Sequence, residues 1–192
     1  MRAWSYLRTK WCAMGWLVLG RTGAALALFD RMLERWPGDP YALASRSHLR
    51  AQLGQLQAAL ADSMLLTSVQ PDNARNWFNQ GFQLEAAGRW EEALAAFRRA
   101  TELSPQLDRA WYGQGLVLIR LQRYDEAVIA LKRNTELQPM SPHGWYQLAR
   151  VHVDRHDPDA AVKIIRHLRG FEPKVAAQLE RETGLLARTP AS

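Results

Sequence analysis

Residues 77–84 read WFNQGFQL, residues 111–118 WYGQGLVL and residues 145–152 WYQLARVH. Each stretch opens on a Trp followed by an aromatic residue or its close equivalent, places a small residue fifth, and begins 34 residues after the one before. A fixed period of this length marks a chain assembled from copies of one supersecondary unit. Prolines keep the same interval: Pro37, Pro71, Pro105, Pro139 and Pro173 are 34 apart throughout. A proline just past a helical pattern marks where a unit stops. Counting back from each gives units at 6–39, 40–73, 74–107, 108–141 and 142–175, with a partial sixth at 176–189.

Within 74–107, Trp77, Gly81 and Leu84 follow i, i+4, i+7 spacing and share one face of a helix. Gly88 ends that pattern. Ala93, Phe97 and Ala100 repeat the spacing on a second helix, whose first turn holds Glu91 and Glu92 at the positive end of the helix dipole. Each unit is therefore a helical hairpin, in which Gly81 and Ala93 permit close approach while Trp77 and Phe97 fill the flanks. The same reasoning puts Trp111 between the helices of its own hairpin.

These residues resemble the tetratricopeptide repeat family, whose unit has Trp, Leu-Gly and Tyr on its first helix and Ala, Phe, Ala and Pro on its second. Trp111, Gly115, Tyr124, Ala127, Leu131 and Pro139 keep the pattern in the fourth unit; Trp145, Ala149, Ala161, Ile165, Leu168 and Pro173 keep it in the fifth. There are departures. Leu84 and Leu118 stand in place of Tyr, Gln80 and Gln114 in place of Leu, and Asn134 in place of Ala. In the second unit Leu43, Ser47 and Arg50 occupy the first-helix positions and, although Ala59 holds, Ser63 replaces the usual aromatic, so this unit is expected to be the loosest or to have shifted helices.

The resemblance implies an all-α, right-handed α-solenoid of stacked helical hairpins, a single domain over 1–192, closed by a C-terminal capping helix. In that cap Leu179 and Leu186 would face the fifth unit while Glu180, Arg181 and Glu182 face water. It also implies a concave groove that binds an extended peptide or helix of a partner protein. The groove positions carried over from the family include Tyr41 and His48; Arg75, Phe78 and Phe82; Arg109, Tyr112 and Leu116; and Tyr146 and Arg150. In the first unit they fall on Leu7, Lys10, Met14 and Leu17. Phe78, Tyr112 and Tyr146 would make an aromatic row beside a basic row of Arg75, Arg109 and His143, suited to a segment of mixed apolar and acidic character. The two-carboxylate clamp that some relatives use on chaperone tails is incomplete here, since Met14, Ser45 and Asn79 replace its other members.

Composition narrows the alternatives. At 192 residues and 47% hydrophobic the chain is too apolar for disorder. Its net charge of +6 is evenly spread, with 8 basic and 5 acidic residues in 1–73 and 17 and 14 in 74–192. No basic block forms, so nucleic acid is not an expected partner. His152 and His156 have a spacing that could hold a metal, but His152 falls at a core position and Asp157-Pro158 reads as an N-cap followed by proline at the first helical position. No phosphate loop or nucleophile elbow is present. Neither an enzyme nor a cofactor is expected, and the oligomeric state is open.

Arg2, Arg8 and Lys10 precede apolar runs at 11–20 and 24–29, interrupted by Arg21. Ala13, Trp16, Gly20, Ala25, Phe29 and Met32 fall on the repeat register, which favours a degenerate first repeat in a cytoplasmic adaptor, with the membrane not an expected partner. The alternative is a membrane-anchored or exported assembly factor using 11–29 as anchor or signal.

Overall fold

The structure, a computed structural model, describes residues 2–185. Its described residues form eleven α-helices and no strand: α1 (Arg2–Val18), α2 (Thr22–Arg35), α3 (Pro40–Gln52), α4 (Leu56–Val69), α5 (Ala74–Ala86), α6 (Trp90–Leu103), α7 (Asp108–Arg120), α8 (Tyr124–Leu137), α9 (Pro142–Asp154), α10 (Pro158–Arg169) and α11 (Pro173–Thr183). The architecture is the all-helical hairpin array expected from the 34-residue period. Contacts gather into two compact units that divide between Arg89 and Trp90. Leu186 and the end of the expected cap lie outside the described residues.

Turns explain the spacing. The residue that reverses the chain between paired helices has a left-handed backbone at Gly20 (φ +68°), Gly54 (+74°), Gly88 (+73°), Gln122 (+58°) and His156 (+59°). These five positions are 34 apart. The first three use glycine, which adopts this conformation without a Cβ penalty; the last two do not.

Helix starts are chemically prepared as well. Asp39 accepts a hydrogen bond from the Ala42 N–H at 2.7 Å ahead of Pro40, and Asn73 accepts from Arg75 N–H at 3.1 Å. Asp157 accepts from Ala160 N–H at 3.2 Å ahead of Pro158, the N-cap arrangement read from the sequence. Pro173 differs from the other register prolines because it opens α11 instead of following a helix end.

In the first unit Ala13, Ala25, Phe29, Met32, Ala42, Leu43 and Leu66 form a buried core, with Tyr6, Trp36 and Tyr41 packed against it. Residues 11–29 therefore contribute Ala13, Ala25 and Phe29 to a repeat-like hairpin. Trp16 does not join them and is 40% exposed.

The second hairpin, expected to be loose, is fastened by charge. Arg46 on α3 donates from Nε and Nη2 to Asp62 of α4 at 2.9 and 2.6 Å, and from Nη1 to Asp30 of α2 at 2.7 Å. Arg50 adds a bond to Asp62 at 2.9 Å. Asp62 is only 4% exposed, so its carboxylate is solvated by two guanidinium groups in place of water. Ser47 donates to the Ala59 carbonyl at 2.9 Å, and Ser63, standing where the family has an aromatic, turns its hydroxyl to the Leu60 carbonyl.

In the second unit Phe97, Leu118, Leu131, Ile165 and Leu168 are buried, and the small residues sit where close approach demands them. A Cβ added at Gly113 would lie 2.7 Å from the Phe97 ring, and one at Gly115 would lie 2.5 Å from Leu131. Gln114 and Asn134 are not idle substitutions: Gln114 donates to Thr101 Oγ1 at 2.8 Å and Asn134 to the Asp108 carbonyl at 3.0 Å. Trp77 in the first unit and Trp111 and Trp145 in the second are half-buried, not enclosed between helices. Their indole N–H groups donate to the carbonyls of Pro71, Pro105 and Pro139 at 2.7, 3.0 and 2.8 Å. An N–H donor that must reach its partner near solvent keeps the ring from sinking further.

Candidate functional site

Helices α3 and α5, aligned by the Asp39 and Asn73 caps, border a cavity of about 380 Å³ in the first unit. Its walls are largely apolar, from Ala44, Ala51, Leu56, Leu66 and Phe82, with His48, Asn79 and Gln83 supplying polar edges. Phe82 is 61% exposed, a large apolar side chain left open to solvent. The buried Gln83 donates Nε2 to Ser47 Oγ at 2.8 Å, while its Oε1 is buried and, among the described residues, paired with nothing. A buried amide oxygen without a donor is costly.

Of the expected groove residues in this unit, His48 and Phe82 line the cavity, whereas Tyr41, Arg75 and Phe78 do not. Tyr41 is already engaged: its ring takes the Lys10 ammonium at 4.1 Å and meets Phe29 at 6.1 Å between centroids. Arg75 is exposed and Phe78 half-buried.

In the second unit Tyr112, His143 and Tyr146 come together around a cavity of about 290 Å³ that α11 helps to close through Val175 and Gln178. Arg109 is exposed and Leu116 half-buried. Tyr146 and Arg150 are occupied from within. The Tyr146 hydroxyl donates to Glu182 Oε2 at 2.5 Å, and Arg150 Nη1 reaches the same oxygen at 3.2 Å. The Tyr146 hydroxyl first, then Gln178 and Arg150, hold the Glu182 carboxyl below its ordinary value. Glu180 also forms an ion pair, with Arg169 of α10. Arg181 and Glu182 are exposed as expected, whereas Glu180 is drawn in towards Arg169 instead of facing water: α11 docks by charge as well as through buried Ala176 and Leu179. Sequence spacing missed these pairs because donor and acceptor are 11 to 36 residues apart, on different helices.

His152 lies buried with Nδ1 3.1 Å from Asp157 Oδ2, and burial pushes its pKa down despite that carboxylate. His156 sits in the left-handed turn. Among the described residues no group of three His, Cys, Asp or Glu side chains could hold a metal ion, and no helix is long and apolar enough to cross a membrane.

The chain is similar in fold to several solved structures. MamA from Desulfovibrio magneticus RS-1 aligns with a TM-score of 0.77 at 20% identity, covering 91% of this chain and 94% of that one. YrrB, described as a tetratricopeptide protein with an unusual peptide-binding site, aligns at 0.78 and 18%, covering 88% of each. A tetratricopeptide repeat protein from Parabacteroides merdae aligns at 0.82 and 21%, covering 94% of this chain and 74% of that one. No curated protein matches. The family model described as Tetratricopeptide repeat matches 53–108, 78–142 and 112–176. Together with the 34-residue register of Trp, left-handed turn and Pro, this coverage shows that the chain belongs to the tetratricopeptide repeat family.

Proposed function

We propose that this interaction scaffold takes an extended segment or helix of a partner protein along the α3 and α5 face of the first unit, with an apolar side chain of the partner in the cavity beside Phe82. The cavity carries the proposal. It combines apolar walls, which favour an aliphatic or aromatic anchor, with polar edges at His48 and Asn79, which favour hydrogen bonds to the backbone beside that anchor. Arg75, exposed in the first turn of α5, is a cation open to an acidic residue elsewhere in the segment. The likeness to YrrB, a peptide-binding protein of the same fold, supports the class of ligand and nothing finer.

A photo-reactive residue placed at Phe82, compared with one at the exposed Ile129 of α8, tests this directly. Cross-linking of a discrete partner from Phe82 and not from Ile129, suppressed by His48→Glu, is the expected result. Capture from Ile129 alone would move the working surface to α8.

A further inference from the structure

α1 carries an apolar stripe that the fold leaves uncovered. Trp4, Leu7, Trp11, Met14 and Val18 follow i, i+3, i+7, i+10, i+14 spacing, which keeps all five on one side of the helix. All are exposed, Trp4 by 82%, Trp11 by 66% and Val18 by 87%. The opposite side holds α1 to its unit. There Ala13 is fully buried, and the Tyr6 ring meets the edge of Trp36 at 5.2 Å. The Leu19 side chain, at the turn that follows, extends the exposed apolar surface.

Two tryptophans on the outward face of a helix are unusual for a surface in contact only with water, because each exposes a large apolar ring. Their surroundings indicate what covers them. Residues 1–29 contain Arg2, Arg8, Lys10 and Arg21 and not one Asp or Glu; the first acidic residue is Asp30. Around the helix, the exposed Arg8 falls on one edge of the stripe and the exposed Arg21 lies at the turn beyond its end, while Lys10 on the other edge turns its ammonium over the Tyr41 ring. An apolar face with Trp at its centre, open guanidinium groups at one margin and at its end, and no acidic residue nearby in sequence matches the boundary of an anionic bilayer: indole rings settle at the headgroup level, aliphatic chains enter the acyl region and guanidinium groups meet lipid phosphates. A second copy of the chain fits less well, since pairing stripe to stripe would bring basic margin against basic margin.

We infer that α1 is a membrane-surface helix, lying in the plane of an anionic lipid leaflet through Trp4, Leu7, Trp11, Met14 and Val18. At 17 residues it does not span; it docks the scaffold peripherally. This differs from an anchor or cleaved signal over 11–29, because Ala25 and Phe29 remain in the protein core while α1 engages lipid. The inference is independent of the groove beside Phe82.

Co-sedimentation of the full chain with vesicles of phosphatidylcholine alone, and of phosphatidylcholine mixed with phosphatidylglycerol, tests it. The chain should pellet with the mixed vesicles and remain in solution with the neutral ones. Trp4→Gln with Trp11→Gln should lower vesicle affinity about tenfold or more while leaving the thermal melt unchanged. Arg8→Gln with Arg21→Gln should lower it about tenfold. Trp4→Gln alone serves as a milder variant if the pair perturbs folding. Failure to bind mixed vesicles overturns the inference; should such a chain run as a dimer that the Trp replacements dissociate, the occupant is a second copy. Equal binding to both lipids removes the role of the basic margin, and binding that survives the Trp replacements removes the stripe.

Discussion

Arg46 and Asp62 face each other fork to fork, with Nε to Oδ2 at 2.9 Å and Nη2 to Oδ1 at 2.6 Å, at the seam of the one hairpin whose helix-packing residues depart furthest from the family pattern. Removing the carboxylate would leave Arg46 and Arg50 side by side with Asp30 as their one common acceptor among the described residues, at 2.7 and 3.4 Å and itself partly open to water. Asp62→Ala is expected to cost about 3 kcal/mol or more, read as a lower urea midpoint with the slope unchanged. Arg46→Gln added to Asp62→Ala restores the pair found at Gln114 and Ala130 and should recover part of the loss. A single variant as stable as the parent would mean that the pair contributes nothing.

Trp111 divides its contribution between a half-buried ring and the hydrogen bond to Pro105. Trp111→Phe keeps most of the ring and loses the bond, so about 1 kcal/mol is expected. Trp111→Ala loses both, and about 3 kcal/mol is expected, at the low end for an aromatic truncation because the ring is not enclosed. Equal losses for the two variants in urea titration would show that the N–H, not the ring, holds the repeat.

Gln122 and His156 occupy a backbone conformation that glycine adopts at Gly20, Gly54 and Gly88. Gln122→Gly and His156→Gly should each stabilise the protein by about 0.5 to 1 kcal/mol, the relief of left-handed strain outweighing the added freedom of the unfolded chain. Differential scanning calorimetry reads the effect as a raised Tm; a lowered one would mean that the side chains make contacts worth more than the strain.

His152 stands in the register of Leu84 and Leu118, and burial lowers its pKa below the ordinary 6.5. Its neutral form is favoured in the folded state, so the unfolded chain binds more protons in the interval below 6.5. Stability from this residue is present above that value and is lost as pH falls from 6.5 towards the folded pKa. His152→Leu should remove this slope: the variant's Tm, relative to the parent's, should rise as pH drops from 7 to 5. A difference that stays constant across this range would place the imidazole in a solvated environment.

Much of the fold was legible because each hairpin solves the same packing problem with the same residues. Gly115 and Ala127 are small since helices meet there, and Pro71, Pro105 and Pro139 follow helix ends. The turn at 122 and 156 was harder to see because a left-handed backbone leaves no trace in sequence once glycine is absent. Arg46 and Asp62 did leave one: two opposite charges break the Gln114 and Ala130 registers together, and their pairing could have been read from that coincidence. The candidate site was less legible. Family position names Tyr41 and Tyr146 alongside His48 and Phe82, but cannot say that Lys10 and Glu182 already occupy the first two. For α1, counting apolar residues suggested a leader or anchor, whereas the side on which Ala13 packs separates the buried face from the exposed stripe.

The bond from each register Trp to the proline carbonyl six residues earlier closes a very short loop. A fastening written entirely within neighbouring residues travels with the segment that encodes it. Duplicating or deleting one 34-residue stretch within 71–145 would carry its own clasp into the new junction, so the array can lengthen or shorten by whole modules without inventing an interface.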